Sequence, residues 1–300
     1  MKRISFIITY YNEPLELLRE CVESVLSLSL RAEEREVLLI DDGSAVPAPA
    51  FDGVTVFRQE NQGLSAARNK GLELAQSEYI QFLDADDYLF PNAYRHLLDM
   101  QLSFRPDVLI FGFTHNVSQE GKLKSVESFS SGIDFLRTRN MRSSACSYLF
   151  RKDILGNLRF QRGILHEDEL FTPQLLLRAG SLLVADIPAY YYRIGVGTIT
   201  HQQDAAHIQR RLHDILFVVC ELDQLAKVSQ GKESEALRRR VSQLSMDCIY
   251  NCWMLTHSLK EVRFCLRSLK DNSLYPLPLR CYSLKYWYFA LTINCLCAFL

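Results

Sequence analysis

The sequence predicts an α/β fold, a largely parallel sheet wrapped by helices, followed by a helical C-terminal region. Three observations carry this. Short apolar runs alternate with helix-period segments through the first 115 residues, as in βαβ units whose strands are buried on both faces. Three of those runs end in polar clusters: Tyr10-Tyr11-Asn12-Glu13, Asp41-Asp42-Gly43-Ser44 and Asp84-Ala85-Asp86-Asp87. From Ala206 onward the strand signal stops and helical stripes replace it.

The strands expected are Ile4 to Thr9, Glu36 to Ile40, Val54 to Arg58, Tyr79 to Leu83 and Val108 to Phe113, each short, apolar and bounded by turn residues. Leu15, Leu18, Val22, Val25 and Leu26 recur at three- and four-residue steps and define a helix with one core face; Leu64, Ala67, Gly71, Leu74 and Ala75 define a second. Residues 116 to 165 lack a period, and Ser125 to Ser131 reads as a loop. Glu167 to Leu177 has helical spacing. Leu182 to Tyr192 reads as one or two strands with a turn near Pro188. A stripe through Ile208, Leu212, Ile215, Val219 and Leu222 opens the helical region, so a boundary is placed near residue 205, giving segments 1–205 and 206–300. Pro276 and Pro278 interrupt the chain before a final aromatic segment.

Composition excludes several classes. The 300 residues are 48% apolar and 23% charged, so the chain buries a core and is neither disordered nor collagenous. A net charge of -1 supplies no general attraction to nucleic acid. The charge is uneven, because residues 206–300 hold 13 basic and 8 acidic side chains, a net of +5, leaving -6 on the first 205. Nine scattered cysteines with no CxxC pair point to reduced thiols and a cytoplasmic chain. The opening apolar run, Ile4 to Ile8, is too short for a signal peptide, and no stretch reaches the roughly 20 apolar residues of a membrane span.

In an open α/β sheet, ligands bind beyond the carboxyl ends of the strands, which directs attention to the three polar clusters. Asp84-Ala85-Asp86-Asp87 gathers three carboxylates at one strand exit, where they repel one another unless a cation joins them. Oxygen-only ligands favour Mg2+ or Mn2+. The plain alternative for Asp87 is a turn or helix cap. Asp41 and Asp42 could accept hydrogen bonds from a nucleobase or ribose, and Thr9 to Glu13 offers an aromatic face on which a base could stack.

These clusters, together with Asn61 to Gly71 (AsnGlnGlyLeuSerAlaAlaArgAsnLysGly), come in an order and spacing that resembles the family 2 glycosyltransferases, enzymes of the GT-A fold. The resemblance spans residues 4 to about 200. It implies that Thr9, Tyr11, Glu13, Asp41 or Asp42, and Arg68 contact the nucleotide of a nucleotide-sugar donor. It further implies that Asp84, Ala85 and Asp86 form the family's DxD turn, holding ribose and a divalent metal. His166-Glu167-Asp168-Glu169 stands where the family keeps its acceptor-activating carboxylate, so Asp168 is the expected base and Glu167 its alternate. Tyr191-Tyr192-Arg193 and Gly197 to His201 resemble a late motif that closes over the diphosphate, with Arg193 on phosphate and His201 as a further metal ligand. Thr198 departs from the serine more common there.

The expected activity is therefore inverting transfer of a sugar, from a UDP-sugar in the first instance, to a lipid-linked or surface-polysaccharide acceptor, with protein or teichoic acid as alternatives. A dehydrogenase or P-loop enzyme is disfavoured because no GxGxxG follows the first strand and no GxxxxGK[ST] occurs. A non-catalytic sugar-binding member is the other rival. The tail, residues 280–300, is aromatic at one end and apolar beyond. It is too short to span a bilayer but suited to lie in its interface, which would place the protein at the inner face of the cell membrane; the alternative is that the segment packs onto the catalytic domain or a second subunit as ordinary core.

Overall fold

A computed structural model describes residues 2–119, 121–195 and 204–296. The chain divides into two compact units: one comprises Met1–Gly132, Ser143–Gly163 and Gln174–Thr198, the other Ile133–Arg142, Ile164–Pro173 and Ile199–Leu300.

The first unit is built on a mixed sheet. Its leading half is β1 (Ile4–Tyr10), α1 (Leu15–Leu26), β2 (Arg35–Asp41), β3 (Thr55–Arg58), α2 (Leu64–Leu74) and β4 (Tyr79–Asp84). β1 pairs in parallel with both β2 and β4, and all seven of its residues are buried, which explains why its sequence is mostly apolar rather than alternating, with buried Ser5 donating to Glu36. Leu18, Cys21, Val22 and Val25 form the buried face of α1. α2 lies close against β1 at Gly71, where a Cβ would come within 2.2 Å of Ile7 Cγ2, so a side chain there has no room.

The trailing half adds β5 (Tyr88–Leu89), α3 (Pro91–Phe104), β6 (Val108–Thr114), β7 (Val126–Phe129), β8 (Tyr148–Arg151) and β9 (Leu182–Tyr191). The sheet order is β3-β2-β1-β4-β8-β6-β9-β5, with β7 also paired to β9. Three features differ from the sequence expectation. β8 runs antiparallel between β4 and β6, so the sheet is mixed. Residues 126–129 form a strand rather than a loop; three of its four residues are exposed, so it lies on an edge and carries no apolar period. Leu182 to Tyr191 is one strand with no turn at Pro188, because the register against β6 shifts around Gly112, and such a bulge tolerates a residue without an N–H.

The second unit is helical. It contains most of α4 (Gly132–Thr138), the first turns of α5 (Glu167–Leu177), then α6 (Ala205–Val228), α7 (Gly231–Thr256), α8 (Leu259–Asp271) and α9 (Leu284–Leu296). Arg239 and Arg240 of α7 are buried, and their Nη atoms donate to the carbonyls of Arg137 and Met141 and to the side chains of Asn140 and Glu169. No described helix is long and apolar enough to cross a membrane.

Candidate active site

In the first unit, the parallel strands β1, β2 and β4 end side by side, with Thr9 opposite Asp84 and Tyr10 opposite Asp41 in register. The polar clusters read from the sequence therefore share one edge of the sheet. At the β4 exit, Arg68 of α2 donates from Nη2 to Asp84 Oδ1 at 3.0 Å, Thr9 Oγ1 lies 3.5 Å from the same oxygen, and the Ala85 N–H donates to the Thr9 carbonyl at 3.1 Å. Arg68 is buried, with its guanidinium 5.4 Å from the centre of the Phe160 ring. It is thus a counter-charge to Asp84, placed under the acidic turn.

The next two carboxyls are unusual. Burial, reinforced by Asp84, pushes Asp86 up to about 6. Burial, with Asp84 and Asp86 adding to it, pushes Asp87 up to about 8. Asp87 is not a helix cap, since Phe90 occupies that position of α3. Instead it accepts from Tyr190 Oη at 2.7 Å and from the Arg193 N–H at 2.7 Å. Tyr190 Oη also accepts from the Asp84 N–H at 3.3 Å. Arg193 donates from Nε to the Asp86 carbonyl at 2.8 Å and pairs with Glu20 at 2.6 Å. Its guanidinium stands 5.8 Å from the Tyr88 ring and 5.6 Å from the Tyr191 ring, two rings stacked at 4.6 Å. Arg193 thus ties the end of β9 to the acidic turn.

At the β2 exit both aspartates are turned inward. Asp41 accepts from the N–H groups of Ser44 and Ala48 and from Arg58. Burial would raise its carboxyl, but those donors hold it below its ordinary value. Asp42 accepts from Gln59, Asn61, the Gln62 N–H and the Gly63 N–H, which pins the 59–63 loop ahead of α2. Gly43 is tight against that loop, as a Cβ there would lie 2.6 Å from the Asn61 N, and its φ of +79° suits glycine. An open cleft of about 540 Å3 is lined here by Gly43, Arg58, Gln59, Glu60 and Asn61. At the β1 exit Tyr11 is 49% exposed, an open aromatic face, and Glu13 turns back to accept from the Tyr11 N–H at 2.6 Å. Burial raises the Glu13 carboxyl, with Asp86 and Asp84 contributing.

Glu167 and Asp168 lie in the second unit, in the first turn of α5, where the helix dipole favours carboxylates. Glu167 is buried and Asp168 half-buried. His166, immediately before them, has a φ of +63°, and burial together with Arg211 lowers its imidazole below the ordinary value. The turn is held from both sides: the Leu165 N–H donates to buried Asp214 of α6 at 2.9 Å, and Glu169 pairs with buried Arg240 of α7. Thr198 and His201 fall outside the described residues.

Among the described residues no set of three or more His, Cys, Asp or Glu side chains is arranged to hold a metal ion. The chemistry of the Asp84–Asp86 turn nevertheless fits the protein's share of a hard-cation site. It presents hard oxygen donors, with Asp86 raised first by burial and then by Asp84, and Mg2+ or Mn2+ commonly completes its shell with water and substrate phosphates. Sequence reasoning missed Tyr190, which joins Asp84 to Asp87, and the Asp214 and Arg240 anchors. Tyr190 lies in a run of three tyrosines next to Arg193, a signal that was available; the two anchors sit among ordinary helix-surface charges and offered none.

The mixed α/β sheet, with its acidic turn at the end of β4, has the GT-A architecture. In backbone shape the chain matches the crystal structure of S. aureus TarS 1-349 in complex with UDP-GlcNAc, at a TM-score of 0.72 and 17% identity over 97% of this chain and 88% of that one. It also matches the mannosyltransferase PcManGT from Pyrobaculum calidifontis in complex with GDP-Man and Mn2+, at a TM-score of 0.57 and 12% identity over 98% and 87%. In sequence it is 27% identical over 238 residues to the uncharacterized glycosyltransferase YibD of Escherichia coli K12, covering 71% of this chain and 68% of YibD. It is 27% identical over 209 residues to the poly(ribitol-phosphate) beta-N-acetylglucosaminyltransferase TarP of Staphylococcus aureus N315, covering 64% and 62%. The profile described as glycosyl transferase family 2 matches residues 5–158, and the chain belongs to that family.

Proposed function

We propose that this protein is an inverting, metal-dependent transferase that moves a sugar from a UDP-sugar to a hydroxyl of a lipid-linked or surface-polysaccharide acceptor. The observation that carries the reading is the Asp84–Asp87 turn. It concentrates three carboxyls at the sheet edge, two of them pushed well above the ordinary carboxylate range, beside the exposed ring of Tyr11. Carboxyls pushed up by burial and by one another cluster at functional sites. The UDP-GlcNAc complex of TarS supports a uridine donor.

Each residue has a role in this reading. Tyr11 stacks on the base, and the β2-exit loop carrying Gly43 and Asn61 borders it, shaped from within by Asp41 and Asp42. Arg68 holds Asp84 in place. Asp84 and Asp86 receive the divalent cation, which when bound offsets charge on the departing diphosphate. Arg193 orients the turn through the Asp86 carbonyl and faces the phosphates with its remaining donors. Asp168 accepts the acceptor hydroxyl's proton as the new glycosidic bond forms and the anomeric carbon's bond to the diphosphate breaks on the opposite face. A wall-polymer acceptor is the second reading for that hydroxyl, favoured by TarP and by the poly(ribitol-phosphate) beta-glucosyltransferase relative. The test is nucleotide release across a panel of UDP- and GDP-sugars, with Mn2+ or with EDTA. Cation-dependent UDP release from one sugar is expected. Absence of both turnover and UDP binding by calorimetry overturns the reading.

A further inference from the structure

The geometry points to a lipid-docking surface on the second unit. We propose that the exposed face formed by the end of α7, by α8 and by α9 seats in the headgroup region of an anionic bilayer. This surface stands apart from the transfer reaction and extends well beyond the terminal tail.

Four observations converge. Of the eighteen large apolar side chains exposed among the described residues, nine fall between Tyr250 and Tyr288, so the second unit concentrates apolar exposure in a short stretch. Both tryptophans of the protein, Trp253 and Trp287, are among them. Tryptophan and tyrosine, with an apolar ring and a polar edge, are the residues best matched to headgroup depth.

α8 has a two-faced pattern. Val262, Cys265, Leu266 and Leu269 are buried, while Lys260, Arg263, Phe264 and Arg267 face outward at steps of three and four. The outward face thus pairs three cations with a phenyl ring that is 67% exposed. Such a face suits a lipid interface, where the ring enters the acyl boundary and the cations meet phosphate.

α9 is anchored, not loose. Tyr286 and Ala290 are buried, Tyr286 Oη donates to the Pro278 carbonyl at 3.0 Å, and the Asn294 amide both donates to and accepts from the Leu277 backbone. With that face fixed, Leu284, Trp287 and Tyr288 are left outward. The three helices form one assembly, since Cys248 and Cys265 join α7 to α8 at 3.5 Å and Lys285 of α9 stands 5.7 Å from the ring of Tyr250 on α7.

Charge selects the occupant. From His257 to Leu296 six basic residues stand against two acidic ones, and none is acidic beyond Asp271. A second copy of the chain would bring this basic face against itself, whereas anionic lipid complements it.

The experiment is co-sedimentation of the full chain with phosphatidylcholine vesicles and with vesicles containing 30% phosphatidylglycerol, at low salt and at about 0.5 M NaCl. Binding to the anionic vesicles, weakened at least tenfold by salt, is expected. The triple variant Lys260→Gln/Arg263→Gln/Arg267→Gln should bind at least tenfold more weakly, and Trp287→Ser/Tyr288→Ser should lose binding while its circular dichroism is unchanged. In the Trp253→Phe protein, fluorescence of Trp287 should be quenched by brominated lipid. Equal partitioning into neutral and anionic vesicles, no binding to either, or a dimer in light scattering that Trp287→Ser dissolves would each overturn the proposal. Donor turnover is measured without vesicles, so loss of lipid binding with turnover intact refutes only this surface. Loss of turnover with lipid binding intact refutes only the proposed reaction.

Discussion

Replacing Asp86 by Asn should raise the melting temperature at neutral pH while removing transfer. The carboxyl stands at about 6 in the folded protein against an ordinary 3.8, a rise caused first by burial and then by Asp84. The folded state therefore holds this proton more tightly than the unfolded chain, so stability falls as pH rises from about 4 to about 6 and the cost stays constant above that. A rise of about two pH units corresponds to at most about 3 kcal/mol at 1.36 kcal/mol per unit. Because the side chain retains some solvent contact, about 1–2 kcal/mol is the expected gain from the neutral amide. For a chain of this size that is roughly 2–6 °C. The assay is differential scanning fluorimetry in EDTA at pH 5 and 7.5, beside UDP-release kinetics. The variant should melt higher at pH 7.5, by a smaller margin at pH 5, and should gain less than the parent from added Mn2+. A lower melting temperature at pH 7.5 in EDTA, or parental turnover by the variant, would refute the account of the turn as strained charge awaiting a cation.

Asp168→Asn should reduce turnover roughly 100- to 10,000-fold with UDP affinity retained, and Glu167→Gln should cost less; the reverse ranking, read from kcat, moves the base to Glu167. Arg240→Met leaves Glu169 without its buried partner and should destabilise by about 3 kcal/mol in urea melts, with Arg240→Met/Glu169→Gln recovering most of the loss. Gly71→Ala drives a methyl into Ile7 and should cost about 1–3 kcal/mol, and Ile7→Ala in the same chain should relieve part of that penalty, which a double-mutant cycle measures directly.

What the sequence determined by itself was local. The strand exits were legible because a buried parallel strand is a predominantly apolar run that gives way to a polar cluster, and β1, β2 and β4 therefore end within a residue of where the pattern ends. The acidic turn was legible as unusual charge density, and α5 as an acidic first turn followed by helical spacing. Where pattern is absent the reading ran out: exposed edge strand β7 has no apolar alternation, and Pro188 suggested a turn because only its pairing with the shifted register at Gly112 makes a strand tolerable there.

Partnership was decided by tertiary structure, because it depends on residues far apart in the chain. Asp42, read as a possible base or ribose contact, also receives donors from a loop 17 to 21 residues later. Arg68, read as a nucleotide contact, also has a partner within the protein, since folding brings its Nη2 to 3.0 Å from Asp84. Asp87, read as a turn or cap residue, does close a turn on the Asp84 carbonyl through its N–H, while Tyr190 and Arg193, more than 100 residues on, make its carboxyl a strut between β9 and the acidic turn. Local composition could name the groups that carry charge, but which charges are satisfied within the protein and which remain for a ligand depends on close packing, and only the folded chain brings those groups together.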